Sequence, residues 1–136
     1  MKNAIFGCGT VGLDLNNVER FNFIESTIKE CTYSIMHITN SSDVMFIDSI
    51  FKDTEQFDLI EIDSSSAIKI DNCIISSNST GDFQPHLFKL VGSCSDIQVL
   101  FTTIKHNEIP ILVNNKSLIE FIDCDFKGND FIRSNI

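Results

Sequence analysis

The sequence predicts an all-β fold, a right-handed parallel β-helix wound as a solenoid of about five coils with 22–29 residues per coil. Three observations predict it. Five segments of the chain align with one another without gaps, a second short strand pattern precedes each of them, and polar turn residues separate the two. The composition agrees. Twelve Phe stand against one Tyr and no Trp, and the chain is rich in Ile, Ser, Asn and Asp. That mix suits pleated surfaces and polar turns better than helices.

The five segments run over residues 21–31 (FNFIESTIKEC), 44–54 (VMFIDSIFKDT), 68–78 (IKIDNCIISSN), 97–107 (IQVLFTTIKHN) and 119–129 (IEFIDCDFKGN), with starts separated by 23, 24, 29 and 22 residues. Position one holds Phe21, Val44, Ile68, Ile97 and Ile119. Position three holds Phe23, Phe46, Ile70, Val99 and Phe121, and position eight holds Ile28, Phe51, Ile75, Ile104 and Phe126. All fifteen are apolar, where a chain that is 43% apolar gives about six by composition.

The preceding strands read Leu13-Asp14-Leu15, Met36-His37-Ile38, Ile60-Glu61-Ile62, Phe88-Lys89-Leu90 and Ile111-Leu112-Val113. Alternation puts the outer two residues inside and the middle one outside. Polar turns such as Thr39-Asn40-Ser41-Ser42 and Asp63-Ser64-Ser65-Ser66 follow. Such coils bury their apolar side only by stacking, with like residues ~4.8 Å apart along the axis.

From about Ile5 to Ser134 this pattern resembles the parallel β-helix repeat of the pectate-lyase-like superfamily. The resemblance implies an inward Asn ladder at position six. Here that position holds Ser26, Ser49, Cys73, Thr102 and Cys124, so the ladder is expected to be weakened or absent. The same resemblance covers lyases, hydrolases, adhesins, phage fibres and structural modules, so it constrains the fold and leaves the chemistry open.

The repeat is interrupted once. Residues 79–85 (STGDFQP) lengthen the turn after the third segment, and Gly and Pro mark them as loop. Lengthened turns build cleft walls in such folds, which makes Asp82, Phe83 and His86 candidate contact residues, against a tolerated surface insertion. The repeat fills residues 1–136 as one domain, with neither end carrying a polar cap. An uncapped coil would pair with a protein partner or with another copy, end to end.

Charge and composition exclude several functions. A formal net charge of −9 disfavours nucleic-acid binding by bulk charge. No apolar run is long enough for a membrane span, and the first residues lack the apolar core of a signal peptide. Five cysteines, an odd count without Cys-x-x-Cys, favour free structural thiols and a reducing compartment, with Cys8 and Cys31 the one pair placed to bridge adjacent coils. The three histidines have no metal-ligand spacing, so no metal is expected. Gly7-Cys8-Gly9 with Gly12 precedes no helical pattern and is no dinucleotide fingerprint, so no cofactor is expected.

Two outward rows remain. One reads Asp14, His37, Glu61, Lys89, Leu112 and Arg133, and its best catalytic trio is Asp14, His37 and Glu61. Asp14 and Glu61 would stand about 9.6 Å apart with His37 between them. Glycoside chemistry wants carboxyl groups ~5 to 9.5 Å apart, and a solvated row of charge pairs explains the same residues. The other row is position nine, with Lys29, Lys52, Lys105 and Lys127 broken by Ser76. It reads either as a basic stripe for an anionic polysaccharide or acidic partner, or as a solvated strand edge with local counter-ions, since Glu30 and Asp53 lie beside it. The leading expectation is a non-catalytic structural or interaction module, part of a larger surface, fibre or phage-related protein. A polysaccharide-acting lyase or hydrolase fragment and a small acidic protein inhibitor are the alternatives.

Overall fold

The protein, seen as a computed structural model, is described at residues 1–2, 4–7, 10–54, 58–79, 86–109 and 111–129. Its strands, numbered in chain order, fall into three parallel sheets. Sheet 1 holds β1 (Ile5–Gly7), β4 (Thr27–Lys29), β7 (Ile50–Lys52), β10 (Ile74–Ser76), β13 (Thr103–Lys105) and β16 (Asp125–Lys127). Sheet 2 holds β2 (Val11–Asn16), β5 (Ser34–Thr39), β8 (Ile60–Asp63), β11 (His86–Val91) and β14 (Ile111–Val113). Sheet 3 holds β3 (Glu19–Ile24), β6 (Ser42–Ile47), β9 (Ser66–Asp71), β12 (Ser95–Leu100) and β15 (Glu120–Ile122). The chain passes from sheet 1 to sheet 2 to sheet 3 and back, one coil at a time. The helical content among the described residues is one 3-10 turn at Lys116–Leu118.

Every ladder pairs like with like. Phe21 lies beside Val44 and Ile68, and Ile28 lies beside Phe51 and Ile75. Twelve of the fifteen repeat positions are buried, while Phe21, Phe121 and Phe126 are half-buried against the core. Phe23, Phe46 and Phe51 form an aromatic cluster in the middle coils, with ring centroids 5.7 to 6.2 Å apart. Tilted and edge contacts of this kind add to burial, so the interior is held by more than area.

The corners turn by placing non-glycine residues in the left-handed region, coil after coil. Glu25, Asp48, Asn72, Phe101 and Asp123 all have φ between 48° and 52° at the corner from sheet 3 to sheet 1. Short polar side chains tolerate that region because they bond locally. At the corner from sheet 2 to sheet 3, Gly92 has φ 69°, and a Cβ there would meet the Ser64 hydroxyl of the coil below.

Each corner carries its own inward hydrogen-bond ladder, which corrects the expectation that the ladder is weak or missing. At position six the Ser26, Ser49 and Thr102 hydroxyls donate to the carbonyl two residues earlier and accept a backbone N–H from the neighbouring coil. An Asn ladder does exist, at position eleven. Asn78, Asn107 and Asn129 bond side chain to side chain at 2.9 to 3.0 Å, and their Oδ1 atoms accept the N–H of Thr54, Asn78 and Asn107. Three cysteines occupy these ladder rows, Cys73 and Cys124 at position six and Cys31 at position eleven. The thiols of Cys73 and Cys124 donate to the carbonyls of Asp71 and Ile122 much as a serine would.

Two further expectations are corrected. Leu112 is fully buried and does not join an outward row. β14 pairs with β11 as His86 with Ile111 and Phe88 with Val113. Ile111-Leu112-Val113 is apolar throughout, so nothing in it marked the offset; the register is shifted by two from the expected one and sets Leu112 beside the buried Leu87. Arg133 lies outside the described residues. The cysteines are also not all free. Cys31 is disulfide-bonded, while Cys73, Cys94 and Cys124 are free. Cys8, the expected partner, lies outside the described residues. The cysteine count is therefore no argument for a reducing compartment.

Candidate functional site

Sheet 1 has strands of three residues, so the middle one points inward and the outer two point to solvent. This builds three parallel rows across one face. The corner row is Glu25, Asp48, Asn72, Phe101 and Asp123, all exposed. The central row is Thr27, Ile50, Ile74, Thr103 and Asp125. The third row stacks Lys29, Lys52, Ser76, Lys105 and Lys127 in register. A shallow groove runs between the first two, lined by Asp48, Ile50, Asn72, Ile74 and Thr103.

Two ammonium groups ~5 Å apart repel by about 1 kcal/mol in water. The face also carries Glu25, Asp48, Asp123 and Asp125, but few ion pairs form on it among the described residues. Lys127 pairs with Asp125 at 2.9 Å and Lys2 with Glu25 at 3.9 Å, all well exposed and each worth little. Lys52 and Lys105 form no ion pair among the described residues. Phe101 adds a second anomaly. It is 57% exposed and holds φ 48°, a rare conformation for an aromatic residue.

The outer face of sheet 2 differs. Asp14, His37, Glu61 and Lys89 stand in register on consecutive coils, with alternating character. The Tyr33 ring meets His37 edge-on with centroids 6.2 Å apart. Behind this row lies a polar cluster that sequence reading missed, centred on Asp58, which is only 3% exposed. Its Oδ1 meets His86 Nδ1 at 2.9 Å and accepts the His86 backbone N–H at 3.0 Å, while its Oδ2 lies 3.4 Å from Lys89 Nζ. The Ser34 hydroxyl donates to the Asp58 carbonyl at 2.6 Å.

The sheet registers that pair Met36 with Ile60 and Ile60 with Phe88 put Ser34, Asp58 and His86 on three successive coils, two residues before those partners. This is the residue set of a nucleophilic triad in the wrong order. A triad needs the imidazole between the hydroxyl and the carboxylate. Here Asp58 is in the middle, and Ser34 stands about two coils, or 9.6 Å, from His86 along the axis. The cluster instead neutralises a buried carboxylate and fixes the start of β11, where the lengthened turn ends. His86 thus has a defined partner, while Asp82 and Phe83 lie outside the described residues.

Asp14 and Glu61 stand two coils apart with His37 between them, about 9.6 Å by coil spacing, at the outer limit for a carboxyl pair. Among the described residues no three His, Cys, Asp or Glu side chains converge as a metal site. Burial pushes the Cys73 thiol up to about 12, with Asp48 and Asp71 nearby adding to the rise, and burial also raises Cys124. Neither is primed as a nucleophile, since the thiolate is the reactive form.

Compared with known families, the chain matches the one described as right handed beta helix region over residues 2–134. Comparisons with curated proteins and with solved structures gave no significant match. The match spans nearly all of the chain and agrees with three parallel sheets stacked coil on coil, so this protein belongs to the right-handed β-helix family.

Proposed function

We propose that the chain is a non-catalytic interaction module, with the outer face of sheet 1 as its contact surface. The observation that carries this reading is the lysine row, in register on a chain of net charge −9, in which Lys52 and Lys105 form no ion pair among the described residues. Such a row is held at a cost in repulsion that an acidic partner would relieve. Against a catalytic reading stand the wide Asp14 to Glu61 spacing and the order of Ser34, Asp58 and His86.

The test compares two paired variants of the full chain. Lys52→Ser with Lys105→Ser should remove salt-sensitive association with acidic material, read as retention on immobilised polygalacturonate and as self-association in solution. His37→Ala with Glu61→Gln should leave both unchanged. Release of sugar products from the polymer by the wild type, lost in the His37 and Glu61 variant, would overturn the reading in favour of an enzyme.

A further inference from the structure

The rows of sheet 1 match one another coil by coil. In the same coil as Lys29, Lys52 and Lys127, the corner row holds Glu25, Asp48 and Asp123. In the coil of neutral Ser76 it holds neutral Asn72. In the coil of Lys105 it holds exposed Phe101, whose ring face can take an ammonium group. Part of this matching is already engaged inside the chain: Glu25 lies 3.9 Å from Lys2, Lys127 pairs with Asp125, and Asp48 accepts from the Asn72 amide. The two positions are four residues apart along an extended coil, up to ~13 Å, and no described ion pair joins them.

We infer that the occupant of this face is a second copy of the chain, docked face to face about a twofold axis parallel to the solenoid axis. The inference rests on the reading of sheet 1 as a contact surface. Seen from outside, the rows run corner acid, then a centre of Thr27, Ile50, Ile74, Thr103 and Asp125, then lysine. A twofold rotation about a line in the interface along the solenoid reverses that order on the facing copy and keeps each coil at its own height. Lys52 then faces the second copy's Asp48, and Lys29 faces its Glu25. Lys105 faces its Phe101, and the central residues meet their own counterparts across the axis, Ile50 and Ile74 in apolar contact and Asp125 against Asp125, a repulsion that its pairing with Lys127 reduces. A twofold axis across the solenoid would instead set lysine on lysine and acid on acid, which opposes docking. The repeat also matches by construction, since both copies advance by the same coil spacing.

The footprint bounds the strength. Five coils by four residues cover roughly 24 Å by 13 Å, or about 300 Å² per copy before the lysines splay. A standard interface buries about 800 Å² per partner. The dimer is therefore weak, favoured at high protein concentration and weakened by salt, because its pairs are exposed charges.

Sedimentation equilibrium of the full chain at low salt tests it, with Asp48→Lys, Lys52→Asp and the double variant alongside. Lysine at 48 must take a left-handed backbone, as Arg20 and Glu25 already do at φ 61° and 48°, and circular dichroism will report whether each variant stays folded. The wild type should show a salt-sensitive monomer–dimer equilibrium. Each single variant should lose about tenfold or more in association, the size of effect expected for juxtaposed like charges. The double variant should recover, and an equimolar mixture of the two single variants should form a heterodimer. Folded single variants that associate as the wild type does would overturn the inference, as would a double variant that does not recover. A monomeric wild type at several hundred micromolar in low salt would overturn it too. If that monomer still lost polygalacturonate retention on Lys52→Asp, the contact-face reading would stand without the dimer. If retention were also unchanged, both would fall.

Discussion

The outer faces of sheets 1 and 2 share one geometry and use charge in opposite ways. On sheet 2 the stacked row runs Asp14, His37, Glu61, Lys89, and Lys89 reaches the buried Asp58. His37 separates Asp14 from Glu61 and Lys89 follows, so no like charges stack on adjacent coils there. On sheet 1 four lysines occupy one repeat position, interrupted by Ser76. Parallel in-register stacking multiplies whatever a repeat position holds. An alternating row spreads its charge, and a like-charged row accumulates repulsion, which under the proposed function a partner would relieve.

The largest effect expected from breaking this contrast lies under sheet 2. Asp58→Ala leaves Lys89 and His86 without their buried carboxylate and should cost about 3 to 5 kcal/mol in urea denaturation. A loss under about 1 kcal/mol would reduce the cluster to a surface decoration and remove the structural half of the comparison.

A second test lies behind the sheet 1 groove, where Cys73 is raised from 9.0 to about 12. An unfolded thiol ionises near 9.0 while the folded one stays protonated, so between these values the unfolded state binds fewer protons. Stability should be independent of this group below about pH 9. It should then fall by up to about 1 kcal/mol per pH unit toward pH 12. Cys73→Ser should flatten that fall; an unchanged slope would mean the thiol is not the group responsible.

At the corner joining the two faces, Asn107 accepts from Asn78 and donates to Ile75 and Asn129. Asn107→Ala should cost about 1 to 3 kcal/mol by stranding buried partners. Thermal melts matching the wild type would show that packing alone holds this corner.

The smallest effect belongs to sheet 1. Lys52→Ser should change stability by within about 0.5 kcal/mol, in the stabilising direction at low salt, because it removes repulsion and no described ion pair. A clear destabilisation would mean that the row is structural after all.

What the sequence revealed follows from which constraints are local. Inward positions must be apolar in every coil, so positions one, three and eight showed the repeat without any knowledge of the fold. The lysine row was legible for the same reason. Asp58 was not, because its partners His86 and Lys89 lie 28 and 31 residues away and meet it only through register. Leu112 was misplaced because three apolar residues in succession do not mark where the strand starts, and the true register sets it beside Leu87. The Asn ladder stood in the aligned segments at Asn78, Asn107 and Asn129, but the family likeness directed attention to position six. There, hydroxyls and thiols do the same bonding with smaller side chains.

The claim that sheet 1 carries the contact surface is tested most directly by nuclear magnetic resonance, following backbone amides as protein concentration is raised at low salt and then as polygalacturonate is added. The account predicts shifts confined to the strands of sheet 1 and to the corner from Glu25 to Asp123, while Asp14, His37 and Glu61 stay unperturbed. Shifts centred on the Asp14, His37 and Glu61 row, with Lys52 and Lys105 unmoved, would contradict it.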